Sequence, residues 1–406
     1  MADTLADFAR DPLSDPTGPA LSAGPAVEIV DTLAGIDALQ GEWEALENKA
    51  GVGLDWFQTF AWCRNWTARN TGDGHSTTPH VLVLRDGGRL AAIWPLMIVR
   101  RAGSLAIMKS LGEPHTQYAG LLLDPCLWNK DHAVALRDSV MATPGVDAIV
   151  VGLVPQDSFL HSVLPKETLH PALDNASFII DLAGMGSRDA YLARLSKTQK
   201  RNRNRRLKLL EKKGPVTFEM VWPEDARFAD LIDRGLAFKR RWLDEMQLAA
   251  PGFARLQRRG FLEALPGRGD RPAGACISVM SVGGRPVAIE LGFVRHRHYY
   301  AFMGSFDWDE RDASPGKVQM DMTIGWLIDN GVESYDLLAN QASYKESWSD
   351  RRLPLSCYAI ARTLRGRVYL RLWLAWLRPV AKRGAARLRS IRPFSWGLQA
   401  SRPSSS

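Results

Sequence analysis

The segment from Tyr299 to Lys345 restricts the fold of this chain most, because it reads as strand, charged loop, helix and second strand, with polar residues following. Tyr299, Tyr300, Ala301, Phe302 and Met303 form an aromatic and apolar run bounded by Gly304, which suits a half-buried strand. A charged loop spans Asp307 to Asp312. Ser314, Pro315 and Gly316 then open a helix. Ser is a favoured N-cap, Pro at the first helical position sacrifices no needed N–H, and Gly admits close approach of a ligand to the backbone. Val318, Met322, Gly325 and Trp326 recur on one helical face and Asn330-Gly331 supplies a stop, so a helix is predicted from Pro315 to about Asp329. A strand is expected over Ser334–Leu338. A helix N-terminus delivered by a strand offers unpaired N–H groups and a positive dipole end to a pyrophosphate, with Lys317 as a mobile cation beside it. An ordinary helix start has the same three residues, so on the motif alone both readings stand.

Upstream, Ala275–Val282 and Pro286–Phe293 are strand-like runs joined at Gly283-Gly284, and the second reaches Tyr299 through the basic turn Arg295–His298. Three consecutive antiparallel strands, a pyrophosphate-type loop, a helix and a further strand resemble the acyl-CoA-binding half of the GNAT N-acyltransferase superfamily. Ser314-Pro315-Gly316, Asp336, Tyr344-Lys345 and Trp348 look like the branch containing the acetyltransferases of cellulose biosynthesis, distantly related to the FemAB aminoacyl transferases. The resemblance runs from about Val27 to Ile360, with its specific motifs between Ala275 and Trp348. The loop departs from the usual GNAT pattern of Gln or Arg with two glycines. The resemblance implies an α/β chain of tandem GNAT-like folds, with a basic amphipathic C-terminal segment. It implies acyl-CoA as co-substrate, with no permanently bound cofactor, held by Tyr300, Phe302, Ser314, Pro315, Gly316, Lys317 and Val318, and backbone N–H groups of the Tyr299–Met303 strand on the thioester carbonyl.

At 406 residues the chain has room for roughly two to three domains, and its 46% hydrophobic and 24% charged composition is that of a soluble globular protein. No run of about 18 apolar residues is present to span a bilayer. Met1–Pro25 alternates Asp, Pro, Gly and Ala without an apolar centre, and reads as a disordered, cytoplasmic lead-in and not a signal peptide. Cys63, Cys126, Cys276 and Cys357 are scattered, so neither a zinc cluster nor a C-x-x-C pair is expected. The net charge of +8 is uneven: from Arg351 onward there are 13 Lys or Arg and no Asp or Glu, leaving residues 1–350 net acidic.

Along the chain, a strand is expected at Val27–Val30, helices at Ile36–Asn48 and Asp55–Trp66, and a hairpin from His80–Leu84 and Leu90–Arg100 around Asp86-Gly87-Gly88. Strands at Ala119–Leu123 and Ala148–Leu153 flank a helix near Asp131–Met141. A strand at Phe178–Leu182 ends at Gly184 and Gly186, where the order of elements restarts with a basic helix over Tyr191–Lys213, a strand at Val216–Val221 and a helix at Asp225–Glu245. The division expected is a disordered segment 1–26, an acceptor-side module 27–183, a module 184–361 with the acyl-CoA site, and a basic Trp-rich tail 362–406. The first module lacks a counterpart of Ser314-Pro315-Gly316, so one donor site is expected. The basic helix carries nine Lys or Arg from Lys197 to Lys213 against Glu211. Its charges fall on every face but a Leu192, Leu195, Leu207, Leu210 stripe, which argues for a solvated face or a phosphate contact and against nucleic acid.

Transfer of an acyl group from a thioester to an amine needs a neutral amine, an oxyanion donor and an acid for the departing thiolate. No G-x-S-x-G motif appears, which favours direct attack over an acyl-enzyme. Glu290 alternates with Ile289 and Leu291 on its strand and is either a base, acting directly or through water, or a solvent-facing carboxylate. Asp336 stands between Tyr335 and Leu337 in an apolar strand, where a carboxylate is paired or shifted in pKa. Tyr344 is a candidate acid for the thiolate. Lys345 is a candidate acceptor-binding residue or a partner of Asp336. Val368–Leu377, rich in Trp and flanked by Arg and Lys, suits either an anionic membrane surface or a docked terminal helix. With no spanning segment, the expectation is a cytoplasmic enzyme peripheral to the inner membrane, acylating a membrane-borne aminolipid such as a sphingoid base. Amino-sugar or polysaccharide acetylation, aminoacyl-tRNA-dependent transfer and a non-catalytic binding module are the rival readings.

Overall fold

The computed structural model describes residues 24–50, 53–72, 76–101, 105–248, 253, 260–339 and 343–372. The expected disordered lead-in up to residue 23 and the tail beyond residue 372, including the second half of the Trp-rich run, lie outside the described residues. No described helix is long and apolar enough to cross a membrane.

Alternating apolar strands and amphipathic helices assemble around a single 14-stranded sheet. In the first half, β1 (Ala26–Val30) pairs with β2 (Thr77–Asp86), which forms the expected hairpin with β3 (Arg89–Arg101). Gly87 and Gly88 turn it with φ of +54° and +76°, values that match strand twist and exclude most side chains. Next come β4 (Leu105–Ser110) and, parallel to it, β6 (Ala148–Pro155), while β5 (Leu122–Leu123) pairs with β3. In the second half, β8 (Val216–Val221), β10 (Ala273–Val282), β11 (Arg285–Arg295) and β12 (His298–Phe306) run antiparallel in that spatial order, with β9 (Gly267–Arg268) beside β10. The helix Pro315–Asp329 then crosses over to β13 (Ser334–Asp336), parallel to β12.

The halves are sewn together by two strands. β7 (Asn175–Asp181) pairs with β13 on one side and, on the other, with β14 (Arg351–Ala361), a strand that sequence periodicity did not single out. The first part of β14 lies on β7 and its latter part on β6, so the last strand of the chain closes the gap between the halves. Arg295 reinforces the junction, donating to Asp55 at 2.7 and 2.9 Å and to Glu47 at 3.2 Å.

Several expected elements are shorter or divided. The basic helix is two helices, Arg188–Arg194 and Lys197–Glu211, because Leu195 is extended and Ser196 caps the second in a capping box with Gln199. Ile36–Asn48 splits at Leu39 into Leu33–Ala38 and Gln40–Lys49. Asp55–Trp66 becomes a 3-10 turn at Trp56–Gln58 and a helix Phe60–Asn70 capped by Thr59. The helix expected from Asp225 begins at Phe228. β13 stops at Asp336 and not Leu338, whose φ of +59° breaks the extended run. β5 likewise retains only the last two residues of the expected strand.

One face of the second-half sheet packs Ile289, Leu291, Phe293 and Tyr300 against the helix Phe228–Glu245 and the helix Phe60–Asn70. The other packs Val294, Tyr299 and Tyr335 against the helix Pro315–Asp329. Both faces are therefore covered around the β12–β13 pair.

Candidate functional site

The site begins where two parallel strands part. β12 and β13 are in register only at His298–Ser334, Tyr299–Tyr335 and Tyr300–Asp336. On its other side β12 slips against β11, Leu291 facing Met303 and Gly292 facing Ala301, which leaves Phe302 as the extra residue of a bulge. A bulge bends its strand and leaves one residue out of the ladder. From Phe302 to Phe306 β12 thus runs free of β13, offering backbone to a ligand lying in the gap. Tyr300 supplies backbone only: its ring is fully buried, edge-on to His298 at 4.5 Å between centroids. The Phe302 ring packs against Phe293 at 5.1 Å.

The loop after β12 is held by charges. Glu310 accepts from Lys213 at 2.6 Å and Arg285 at 3.1 Å, and Asp307 pairs with Arg285 as well. A 3-10 turn over Trp308–Ala313 leads straight into the helix Pro315–Asp329, so Ser314 must reverse the chain and sits left-handed at φ +50°, ψ +57°. The expected Ser314 side-chain cap is therefore absent, since capping needs an extended residue. Instead the Ser314 carbonyl accepts the Lys317 N–H at 3.0 Å. Gly316 leaves room above the helix start: a Cβ there would meet only Phe306 Cδ1, at 3.7 Å. The helix itself is fixed to the sheet by Gln319, which donates to the Ser278 carbonyl at 2.8 Å and hydroxyl at 2.7 Å.

Beside this helix start lies a cavity of about 200 Å³. Gln199, Asn202, Arg203 and Arg206, a single face of the helix Lys197–Glu211, form one wall, Lys317 and Val318 the opposite one, and Trp348 a third. Among the described residues, no acidic one lines it. Arg203 is tied to the buried carboxylate of Asp321 at 2.6 Å, one helical turn beyond Lys317. Arg206 has no hydrogen-bond partner for Nε. Burial, and then the neighbouring Arg205, lower the Arg206 pKa; burial, and then Arg206, lower that of Lys317. Two desolvated cations facing a common space attract an anion. Of the two readings of the basic helix, this face fits a phosphate contact, while Arg201, Arg205 and Lys208 remain solvated.

Asp336 is completely buried and saturated with donors. The Tyr118 hydroxyl donates to it at 2.5 Å, Ser177 at 2.5 Å, His298 Nε2 at 3.1 Å and the Leu338 N–H at 2.7 Å, while His298 Nδ1 meets Ser334 Oγ at 2.5 Å. Burial raises its pKa, but His298, Ser177 and Tyr118 together outweigh that and hold the carboxyl below its ordinary value. The expected Asp336–Lys345 ion pair is not formed. Lys345 instead donates to the carbonyls of Leu337, Leu338 and Ala339 at 2.6, 3.2 and 3.0 Å, which the left-handed Leu338 turns toward it. Burial depresses the ammonium to about 8, only partly offset by Asp336. Tyr344 lies on the adjoining helix Ser343–Trp348, and its side chain is outside what is described.

Glu290 does not face solvent. It is buried on the opposite face of the sheet from Asp336, accepting the Tyr299 hydroxyl at 3.0 Å and the Tyr335 hydroxyl at 2.8 and 2.9 Å. Burial raises it to about 7 although both hydroxyls pull the other way. Gly292 makes this arrangement possible, since a Cβ there would stand 2.3 Å from Tyr299 Cζ and Oη. Glu290 and Asp336 thus belong to two separate clusters. Tyr118, Ser177 and His298 escaped sequence reasoning, because nothing local marks residues that meet only across the junction, and Arg206 was not distinguished from the other basic residues of its helix; Gly292, inside a strand, was the one available signal.

Residues 197–346 match the family model described as "Acetyltransferase (GNAT) domain". Among solved structures the chain is similar to FemX, at 13% identity and a TM-score of 0.55 over 82% of this chain and 98% of that one. It is also similar to L-PGS from Bacillus licheniformis, at 11% identity and a TM-score of 0.50 over 85% and 97%. These likenesses describe the fold, which spans both halves of the sheet. No curated protein matches the chain.

Proposed function

From the premise that residues 197–346 are a GNAT acetyltransferase domain within a FemX-like α/β fold, we propose that this acyltransferase moves an acyl group from acyl-CoA to a primary amine by direct attack. The observation that carries the reading is the parting of β12 from β13 at the Phe302 bulge, beside a helix start with an open Gly316 and two desolvated cations. In this reading the pyrophosphate lies on the Gly316 N–H at the positive end of the helix, near Lys317, and the thioester runs along β12. A backbone N–H freed by the bulge holds the carbonyl oxygen as negative charge develops there. The amine nitrogen bonds to the thioester carbon, the C–S bond breaks, the amine proton passes through water to Glu290, and the thiolate is protonated from Tyr344. With a pKa near 7, Glu290 is matched to base catalysis at neutral pH. Asp336 acts as a positioning residue: through Tyr118 and Ser177 it fixes the first half against the end of β13. Lys345 holds the turn after β13 through the three carbonyls that its ammonium, depressed to about 8 by burial, caps beside the acceptor side of the site.

We assign the acceptor to a membrane surface, as an aminolipid such as a sphingoid base. The support is the helix Leu364–Tyr369, which presses Gly366 onto the Asp147 carbonyl, where a Cβ would lie 1.8 Å away, and turns Leu364, Val368 and Leu372 outward at 73, 48 and 57% exposure. Arg365, Arg367 and Arg371 flank that stripe, a pattern suited to anionic lipid. Calorimetry with CoA, acyl-CoA and tRNA tests the donor: CoA binding that Gly316→Val abolishes without lowering the melting temperature is expected, and tRNA binding without CoA binding overturns the reading. Flotation with anionic vesicles, coupled to acylation of a sphingoid base or an amino sugar, tests the acceptor. Leu364→Glu combined with Leu372→Glu should abolish flotation and lipid acylation together; unchanged activity confined to the soluble sugar rejects the lipid.

A further inference from the structure

The cavity between the basic helix and the helix Pro315–Asp329 holds more than the loop motif requires. A pyrophosphate on a helix start needs backbone N–H groups and one cation, yet here a second helix outside that motif contributes Arg206, Asn202 and Gln199 to the same space. Its volume, about 200 Å³, is below the roughly 300–1,000 Å³ of sites that enclose a whole drug-sized ligand, so it accepts only one end of a long donor. Its walls are chemically divided. Arg206 and Lys317 supply positive charge, whereas Leu195, Val318 and Trp348 supply apolar and aromatic surface. The charge of Arg203 is matched by its bond to Asp321, which fixes the helix so that Arg206, one turn along, lines the cavity. Arg206 Nε is buried without a hydrogen-bond partner, a state that costs stability unless a ligand completes it.

We infer that this cavity is a subsite for the terminal phosphomonoester of the nucleotide end of the donor, the 3′-phosphate of CoA, with Arg206 as its specificity-determining residue and Trp348 beside the base. This assignment rests on the acyl-CoA reading of the site. A phosphomonoester carries a charge near −2 at neutral pH and is drawn to the buried Arg206 guanidinium more strongly than a phosphodiester of a nucleic acid, which carries −1. The subsite makes the helix Lys197–Glu211 part of the donor site, although it precedes the first strand of the second-half sheet.

The test is calorimetric titration of the full chain with CoA and with 3′-dephospho-CoA, for the wild type, for Arg206→Gln, and for Lys208→Gln as an exposed control on the same helix. The wild type and Lys208→Gln should bind CoA about tenfold or more tightly than dephospho-CoA, as expected for loss of a charge-assisted contact. Arg206→Gln should bind both ligands with the affinity the wild type shows for dephospho-CoA, at an unchanged melting temperature. Equal wild-type affinity for the two ligands, or a preference that survives Arg206→Gln, overturns the subsite while leaving the acyl-CoA reading intact. Failure of both ligands to bind the wild type overturns both. A loss of affinity for dephospho-CoA in Arg206→Gln equal to that for CoA would show general electrostatics and also reject the assignment.

Discussion

Replacing Glu290 with Gln should change how stability depends on pH, and the size of the change follows from its surroundings. The carboxyl is 8% exposed and is raised from 4.5 to about 7, by burial first, against two tyrosine hydroxyls that favour the charged form. Between those pH values the native protein retains a proton that the unfolded chain has released, so unfolding free energy must fall as pH rises through the window. A shift of this size corresponds to about 3 kcal/mol, at roughly 1.36 kcal/mol per pH unit. Gln cannot ionise. The difference in unfolding free energy, wild type minus Glu290→Gln, should therefore decline by about 3 kcal/mol from pH 4.5 to pH 8, with most of the fall complete near pH 7. Urea unfolding of both proteins at half-unit pH steps measures it, and titrations elsewhere cancel in the difference. In the same variants the rate of acyl transfer should rise with an apparent pKa near 7 in the wild type and lose that limb in Glu290→Gln. A difference that stays constant within about 0.5 kcal/mol over this range would refute the buried, proton-retaining carboxyl and with it the case for Glu290 as base.

Asp336→Asn removes a carboxylate that takes four donors and leaves at least one of them facing an amide that cannot accept; a loss of about 3–5 kcal/mol is expected in chemical denaturation, with Tyr118→Phe costing about 1 kcal/mol. Gly292→Ala places a methyl 2.3 Å from the Tyr299 ring, so it should destabilise by about 1–3 kcal/mol. By displacing the Tyr299 hydroxyl it should also push the Glu290 limb of the pH–rate profile upward, since a donor to the charged form is lost.

Local chemistry accounts for much of what the sequence alone determined. The helix Pro315–Asp329 has the bounds expected from Pro at its first position and Asn330-Gly331 at its end, and β8 and the β2–β3 hairpin fall where alternation and turn residues place them. The order of these elements sufficed for the resemblance to a GNAT domain, whose family model residues 197–346 match. What the tertiary structure alone decided are the relations that no local period encodes. No local pattern singled out β14, yet its position between β6 and β7 is what unites the halves. Ser314 looks like a cap, but the 3-10 turn before it forces a left-handed backbone that capping excludes. Asp336 and Lys345 are nine residues apart and of opposite charge. Their separate partners, a tyrosine 218 positions away for the one and three nearby carbonyls for the other, were decided by packing. Arg206 is one of nine similar charges between Lys197 and Lys213, and only the approach of Lys317 from another helix distinguishes it. Propensity and periodicity act over a few residues, so they fix the elements; desolvation and charge pairing act between elements, so the chemistry of the site appears only when the sheet has brought them together.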